Sequence, residues 1–311
     1  MNANHTSPHR GSLRPSTLRA NIARQIEREG GRHDEASIYG GEAFDLGLVG
    51  GPSSMSWELH GDLACVIVAG SGAILMEVLH PSVMAGVFTQ SSYRTETARR
   101  ARNTLGYVLR TTFGNTRAAT QVIETVRRVH GRVQGHRPDG VPYRALDPEL
   151  LAWVHTCIPW AIMTAYNRYA RPLTVDEKNR YLREQAVIGR MGGAEWVPET
   201  VSELDDYVET MRPKLAVNEQ TRAFMDFLLG RTDERRLSRA ARFDRWVSLQ
   251  GSMALMPEWA RHLTGTEVPR FVEGTSVHPA TAMRVKLVRW AYPTMPCKEL
   301  ALSRARPAHA A

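Results

Sequence analysis

Residues Asn115 to Gln134 read NTRAATQVIETVRRVHGRVQ. With Val122 set at zero and about 100° of turn per residue, Val126, Val129 and Val133 fall within about 40° of it, so the valines predict one apolar stripe on a helix. His130, at about 80°, sits at the edge of that stripe, close to Ile123 at about 100°. Arg127 and Arg128 turn to the flank and the solvent side. The helix thus offers one titratable group inward and its charges outward, as an axial haem ligand requires. At this point a core histidine held by a carbonyl explains the pattern equally well.

Periodicity near 3.6 continues on both sides of this segment, which predicts an all-α fold. Leu63 to Met76 is the most apolar run. It is shorter than the roughly 18 residues a membrane span needs, is broken by Gly70, Ser71 and Gly72, and is flanked by Asp62 and Glu77, so it reads as a buried helix. His80-Pro81 stops it. A short helix from Ser82 to Phe88, a turn around Gln90 to Ser92, and a basic helix from Glu96 to Thr112 closed by Gly114 follow. Glycines 131, 135 and 140 with Pro138 and Pro142 mark a loop. Asp147 and Pro148 then form a helix start, with Leu151, Val154, His155, Ile158 and Ile162 on one face and Pro159 as a midway kink. Thr174 with Glu177, and Thr200 with Glu203, match the capping box. Glu219 to Leu229, Arg235 to Leu263 and Pro279 to Trp290 complete the helices, with a frayed tail from Ser303.

Length and composition fit one large helical domain. The chain has 311 residues, 42% hydrophobic, and carries a net charge of +8. Residues 1–45 form a basic, partly disordered arm, residues 46–295 the domain, and residues 296–311 a flexible tail. Three well-separated cysteines, Cys65, Cys157 and Cys297, argue against a disulfide framework or a zinc knuckle. The arginine-rich arm lacks a following apolar region, so no secretory signal is read there and a cytoplasmic location is expected. The positive charge is spread along the chain without a zinc-finger or RNA-recognition signature, so no nucleic-acid partner is expected. The arm itself suits a weak contact with acidic lipid at a membrane surface.

Other histidines compete with His130. His155 lies centrally on its apolar face, as a second ligand, a distal group or a satisfied core residue. His80, before a proline, can donate to a freed carbonyl or line a pocket. His60, His136, His262 and His278 sit near element ends and read as surface residues. Arg100 and Thr104 share one helix face and can bind a propionate or polarise bound oxygen; an exposed arginine beside a back-bonded threonine is the alternative. No His-Glu-x-x-His, paired Glu-x-x-His, G-x-S-x-G or glycine-rich phosphate loop occurs.

The stretches LHPSVMAGV (Leu79 to Val87), SSYR (Ser91 to Arg94), RARNTLGYVLRTTFG (Arg100 to Gly114), VRRVHGRVQG (Val126 to Gly135), YRALDPELLAWVH (Tyr143 to His155) and RPLTVDEKNRYLREQ (Arg171 to Gln185) occur in an order that resembles the MpaB and latex-clearing-protein family of rubber-oxygenase catalytic domains. The resemblance runs from about Trp57 to Leu229. It implies an all-helical domain enclosing one b-type haem, with His130 as the protein ligand to iron and Arg100 and Thr104 near the distal side. His155 and His80 would line or brace the pocket. The basic residue often found just before that threonine is replaced by Asn103. Characterised members cleave carbon–carbon double bonds of isoprenoid chains with dioxygen, which implies a haem-dependent oxygenase using dioxygen or peroxide on a small or chain-like apolar substrate. Rubber-cleaving members use a glutamate near the oxygen-binding face, yet His80 to Ser92 contains no carboxylate, and Gln90 is the nearest polar group in that turn. A haem- or apolar-ligand-binding protein without turnover, a sensor or carrier, is therefore the alternative.

Overall fold

A computed structural model describes residue 17 and residues 19–24, 35–90, 97–231 and 238–306. Helices α1 (Glu35–Tyr39), α2 (Met55–His60), α3 (Leu63–Glu77), α4 (Pro81–Gln90), α5 (Thr97–Phe113) and α6 (Thr116–His130) lead into a hairpin of β1 (Gln134–His136) and β2 (Pro142–Arg144). Then come α7 (Pro148–Tyr169), α8 (Val175–Gly192), α9 (Val201–Met211), α10 (Glu219–Leu228), α11 (Arg239–Met253), α12 (Glu258–Thr264), α13 (Arg270–Val272), α14 (His278–Ala291) and α15 (Pro296–Ala305). The hairpin is the only sheet among the described residues, and the fold is all-α.

The apolar run from Leu63 folds as α3, capped by Asp62, whose side chain accepts from the Cys65 N–H. It packs along α7, the most extensive helix pair in the molecule. Asp147 caps α7 through the Glu149 N–H at 2.9 Å, and the helix runs on through Pro159 to Tyr169. Both expected capping boxes form, at Thr174 with Glu177 and at Thr200 with Glu203, which satisfies otherwise orphaned N–H groups. Trp57, Phe113, Trp153 and Tyr181 are fully buried between these helices. No single helix among the described residues is long and apolar enough to cross a membrane. One pair, Leu63–Glu77 with Pro81–Thr89, passes on length and composition together but is bent by 108° at His80-Pro81.

The structure departs from the sequence expectations in four places. The loop at 131–142 contains the β-hairpin, with Gly140 at φ 84° in its turn; three-residue strands are too short to show alternation. The expected helix from Arg235 to Leu263 is two, because Pro257 interrupts it between Met253 and Glu258. Residues 35–45, assigned to the arm, pack onto the domain, with Tyr39 2% exposed. The flexible tail is instead helix α15 over Pro296–Ala305, while residues 307–311 and the turn at 91–96 lie outside the described residues.

Arg304 explains why α1 and α15 dock on the domain. Its buried guanidinium donates to the carbonyls of Tyr39 (2.6 Å), Asp45 (2.7 Å), Phe113 (3.1 Å) and Gly114 (3.3 Å). Those acceptors belong to the α1 region and the α5–α6 corner, so one cation ties three segments together. Arg304→Ala strands several buried carbonyls, and we expect a loss of about 3 kcal/mol. Urea unfolding checks it, through a lower midpoint at unchanged slope.

Candidate functional site

The buried face of α6 is not the valine stripe. Val129 is 55% exposed, whereas Ala119 and Ile123 are buried and Val126 and His130 half-buried. On the same helical wheel Ala119 falls at about 60° and Ile123 at about 100°, so His130 at about 80° lies at the centre of the inward face rather than its edge. Burial lowers the His130 pKa. The C-terminal end of a helix favours a cation, so desolvation wins here and the ring is held neutral, the form that binds a metal. No side chain or carbonyl among the described residues hydrogen-bonds to it.

His155 of α7 lies within electrostatic reach of His130, and burial together with that neighbour pushes its pKa down to about 4. Its ring sits 6.4 Å from Tyr107 of α5 and makes no hydrogen bond among the described residues. Helix α8 makes room for it with glycines: a Cβ on Gly192 would come within 2.5 Å of Nε2, and one on Gly189 within 3.3 Å of the His155 Cβ. Alanine for glycine inside a helix normally stabilises by about 1 kcal/mol. Gly192→Ala should do the opposite and displace the His155 ring, a change that thermal unfolding and histidine NMR shifts would register.

Helix α5 supplies the facing wall. Arg100, Thr104, Tyr107 and Thr111 recur every three or four residues and so share one face. Thr111 and Thr112 spend their hydroxyls on carbonyls of their own helix. Thr104 is exposed and makes no such bond among the described residues, so its hydroxyl is free to meet a ligand. Arg100 is half-buried, and its closest electrostatic partner is Glu77, the last residue of α3. Burial raises the Glu77 carboxyl to about 7 despite the opposing pull of Arg100. This carboxylate lies just upstream of the His80–Ser92 window in which none was found. Its sequence signal was a lone acid closing an otherwise apolar helix.

The other histidines separate. His60, read as a surface residue, is 2% exposed and fully paired. Thr112 spends its hydroxyl proton on the Val108 carbonyl at 2.7 Å. Its oxygen therefore accepts from His60 Nδ1 at 2.6 Å, and Nε2 accepts from the Tyr181 hydroxyl at 2.8 Å. Burial pushes its pKa down to about 3. His278 is likewise tied in, to Tyr169 at 3.1 Å and Glu273 at 3.1 Å, whereas His136 and His262 are exposed as expected. His80 is buried, but it lines a different cavity from His155. That cavity, about 530 Å³, is shared with Arg137, Tyr143, Glu149 and Lys214. There Nδ1 accepts the Ser82 N–H at 3.3 Å and Nε2 faces Glu149 at 3.8 Å. The three cysteines are buried and free.

The structure thus brings His130 near His155 and His155 near Tyr107, pairs Arg100 with Glu77, sets Arg100 and Thr104 on the same face of α5 as Tyr107, and leaves His80 apart. No cluster of three or more metal-ligating side chains occurs among the described residues, but haem iron needs only one protein ligand. The cavity between His60, Tyr107, His155 and Gln185 is small, about 20 Å³, which is room for a water molecule. Two neutral imidazoles, His130 and His155, make no hydrogen bond among the described residues, and a neutral imidazole is a donor that haem iron accepts. A family model described as "ER-bound oxygenase mpaB/B'/Rubber oxygenase, catalytic domain" matches residues 57–290. No curated protein and no solved structure matches the chain.

Proposed function

Because the chain belongs to the MpaB and rubber-oxygenase catalytic-domain family, we propose that it is a haem b-dependent oxygenase acting on a small or chain-like apolar substrate with dioxygen or peroxide. The observation that carries this reading is His130: central on a buried helix face, held neutral by desolvation, and without a hydrogen-bond partner among the described residues. Bound haem would supply the activation of oxygen or peroxide, a chemistry no side chain offers alone.

The chain's own residues divide the remaining work. His130 would hold the iron, and its neutrality removes the proton that would compete for the ring nitrogen. His155, also neutral, bounds the pocket and keeps charge away from His130. A porphyrin is larger than the small cavity beside His155; on α5, Arg100 and Thr104 would help to hold it. There the Arg100 guanidinium offers charge-assisted donors to a propionate or to negative charge developing on oxygen. The Thr104 hydroxyl adds a donor not committed to its own helix.

Glu77 supplies what the sequence lacked. With its carboxyl at about 7, it is divided between acid and base near neutrality, the condition under which proton transfer is most effective. It would accept a proton from an allylic carbon of the substrate and hold it on a carboxyl oxygen. The reading as a carrier without turnover rested on a carboxylate missing from His80 to Ser92, and Glu77, outside that window, supports the oxygenase reading instead. Titration of the purified protein with haemin tests the proposal: a saturable Soret band at one haem per chain is expected. A featureless, non-saturating spectrum would overturn it.

A further inference from the structure

Two helices far along the chain from the haem-site residues each present a group of exposed large apolar side chains. On α14, Met283 (67% exposed), Leu287 (40%) and Trp290 (43%) recur at four and three residues and form one stripe open to solvent. On the adjoining helix α11, Phe243 (64%) and Trp246 (43%) stack on each other, ring centroids 6.1 Å apart. The two helices pack together and are joined by Arg284 Nε to Asp244 Oδ1 at 3.0 Å. Large apolar side chains in clusters mark an interaction surface, whereas scattered ones do not.

Charge identifies the occupant. Helices α11 and α14 together carry Arg239, Arg242, Arg245, Arg284, Lys286 and Arg289, against a single acid, Asp244. That acid is already paired with Arg284, and Lys286 stands exposed between Met283 and Leu287. Arg245 and Arg289 are turned inward, to the carbonyls of Phe227 and Leu228 and to Asp62, and Arg284 is paired, so the outward charge rests on Arg239, Arg242 and Lys286. An exposed stripe of Trp, Phe, Leu and Met rimmed by unopposed Lys and Arg matches the boundary of an anionic bilayer, where tryptophan favours the headgroup level and cations favour acidic lipid. A second copy of the same face would bring like charges together.

We infer that the α11–α14 face docks the protein on an anionic membrane surface without spanning it. Apolar substrates concentrate in bilayers, so such docking would place the enzyme beside its supply, although the inference stands whether or not haem binds. The test uses the full-length chain with vesicles of phosphatidylcholine alone or mixed with phosphatidylserine, and reads sedimentation together with quenching of Trp246 and Trp290 by brominated lipid. Binding to the mixed vesicles, weakened by salt and about tenfold or more by Leu287→Glu with Trp290→Glu, is expected. These positions are exposed, so circular dichroism and haem absorption of the variant should match the parent. Failure to bind mixed vesicles overturns the inference, as does binding that survives the double substitution, which would point to the N-terminal arm. Light scattering that shows a dimer dissolved by the same substitutions would also overturn it, in favour of a second copy.

Discussion

Replacing His130 by alanine is expected to abolish stable haem binding while leaving a folded, colourless protein. The ring is half-buried at the last position of α6 and makes no hydrogen bond among the described residues, so its removal strands no partner. The cost to stability should be about 1 kcal/mol, the ordinary effect of a single substitution. Loss of the one protein bond to iron, by contrast, should cost essentially all of the Soret absorbance. His130→Gly sharpens the test, because added imidazole can fill the vacated space and restore the band. His155→Ala should behave differently. It enlarges the space beside His130 without removing the iron ligand, so haem should still bind, with a shifted spectrum. If instead His155→Ala is colourless and His130→Ala is red, the two imidazoles exchange roles.

The second large effect concerns Glu77. Glu77→Gln removes the proton acceptor and should lower kcat by about a hundredfold, the lower end of what a positioned acid–base group contributes. Haem content should be unchanged. In the parent, activity should rise with pH through about 7 as the carboxyl ionises, and the variant should lose that limb. Stability moves the other way. The folded carboxyl holds its proton to about 7, while the unfolded one releases it near the model value of 4.5. The folded state therefore binds more protons between those two values, and stability falls as pH rises through that window. Fully expressed, the shift corresponds to about 3 kcal/mol, and partial contact with solvent reduces it to about 2 kcal/mol. Glu77→Gln should flatten this slope even though Arg100 loses its partner. An activity limb that persists in Glu77→Gln assigns the proton to another group.

Much of this fold could be read from the chain because its helix ends are written in local chemistry. Asp147 with Pro148 and the capping boxes at Thr174 and Thr200 all cap helices where expected. Such caps depend on neighbours three residues away, not on the tertiary fold. What failed depended on distant partners. Nothing near Arg304 in sequence announces that its guanidinium meets carbonyls from Tyr39 to Gly114, so α15 read as a tail. His60 sits at the end of a short helix, and only Thr112 and Tyr181, on two other helices, make it a core residue.

The site was legible to the same degree. Periodicity selected His130 and paired Arg100 with Thr104, but it centred the α6 stripe on the valines. Val129 points outward and Ile123 inward, a rotation of the inward face that only packing against α5 and α8 decides. His80 was grouped with the others through its place beside Pro81, yet the bend there turns it toward the hairpin and Lys214. Glu77 reads in the sequence only as the acid that flanks an apolar run, whereas the fold sets the end of α3 against Arg100.

One nitrogen on α6 is the centre of the account, and a pyridine haemochrome assay on freshly purified protein, run beside His130→Ala, tests it most directly. The account predicts about one haem b per parent chain and almost none in the variant. A parent that yields no haemochrome after expression with added haem precursor, or a variant that retains as much haem as the parent, would contradict it.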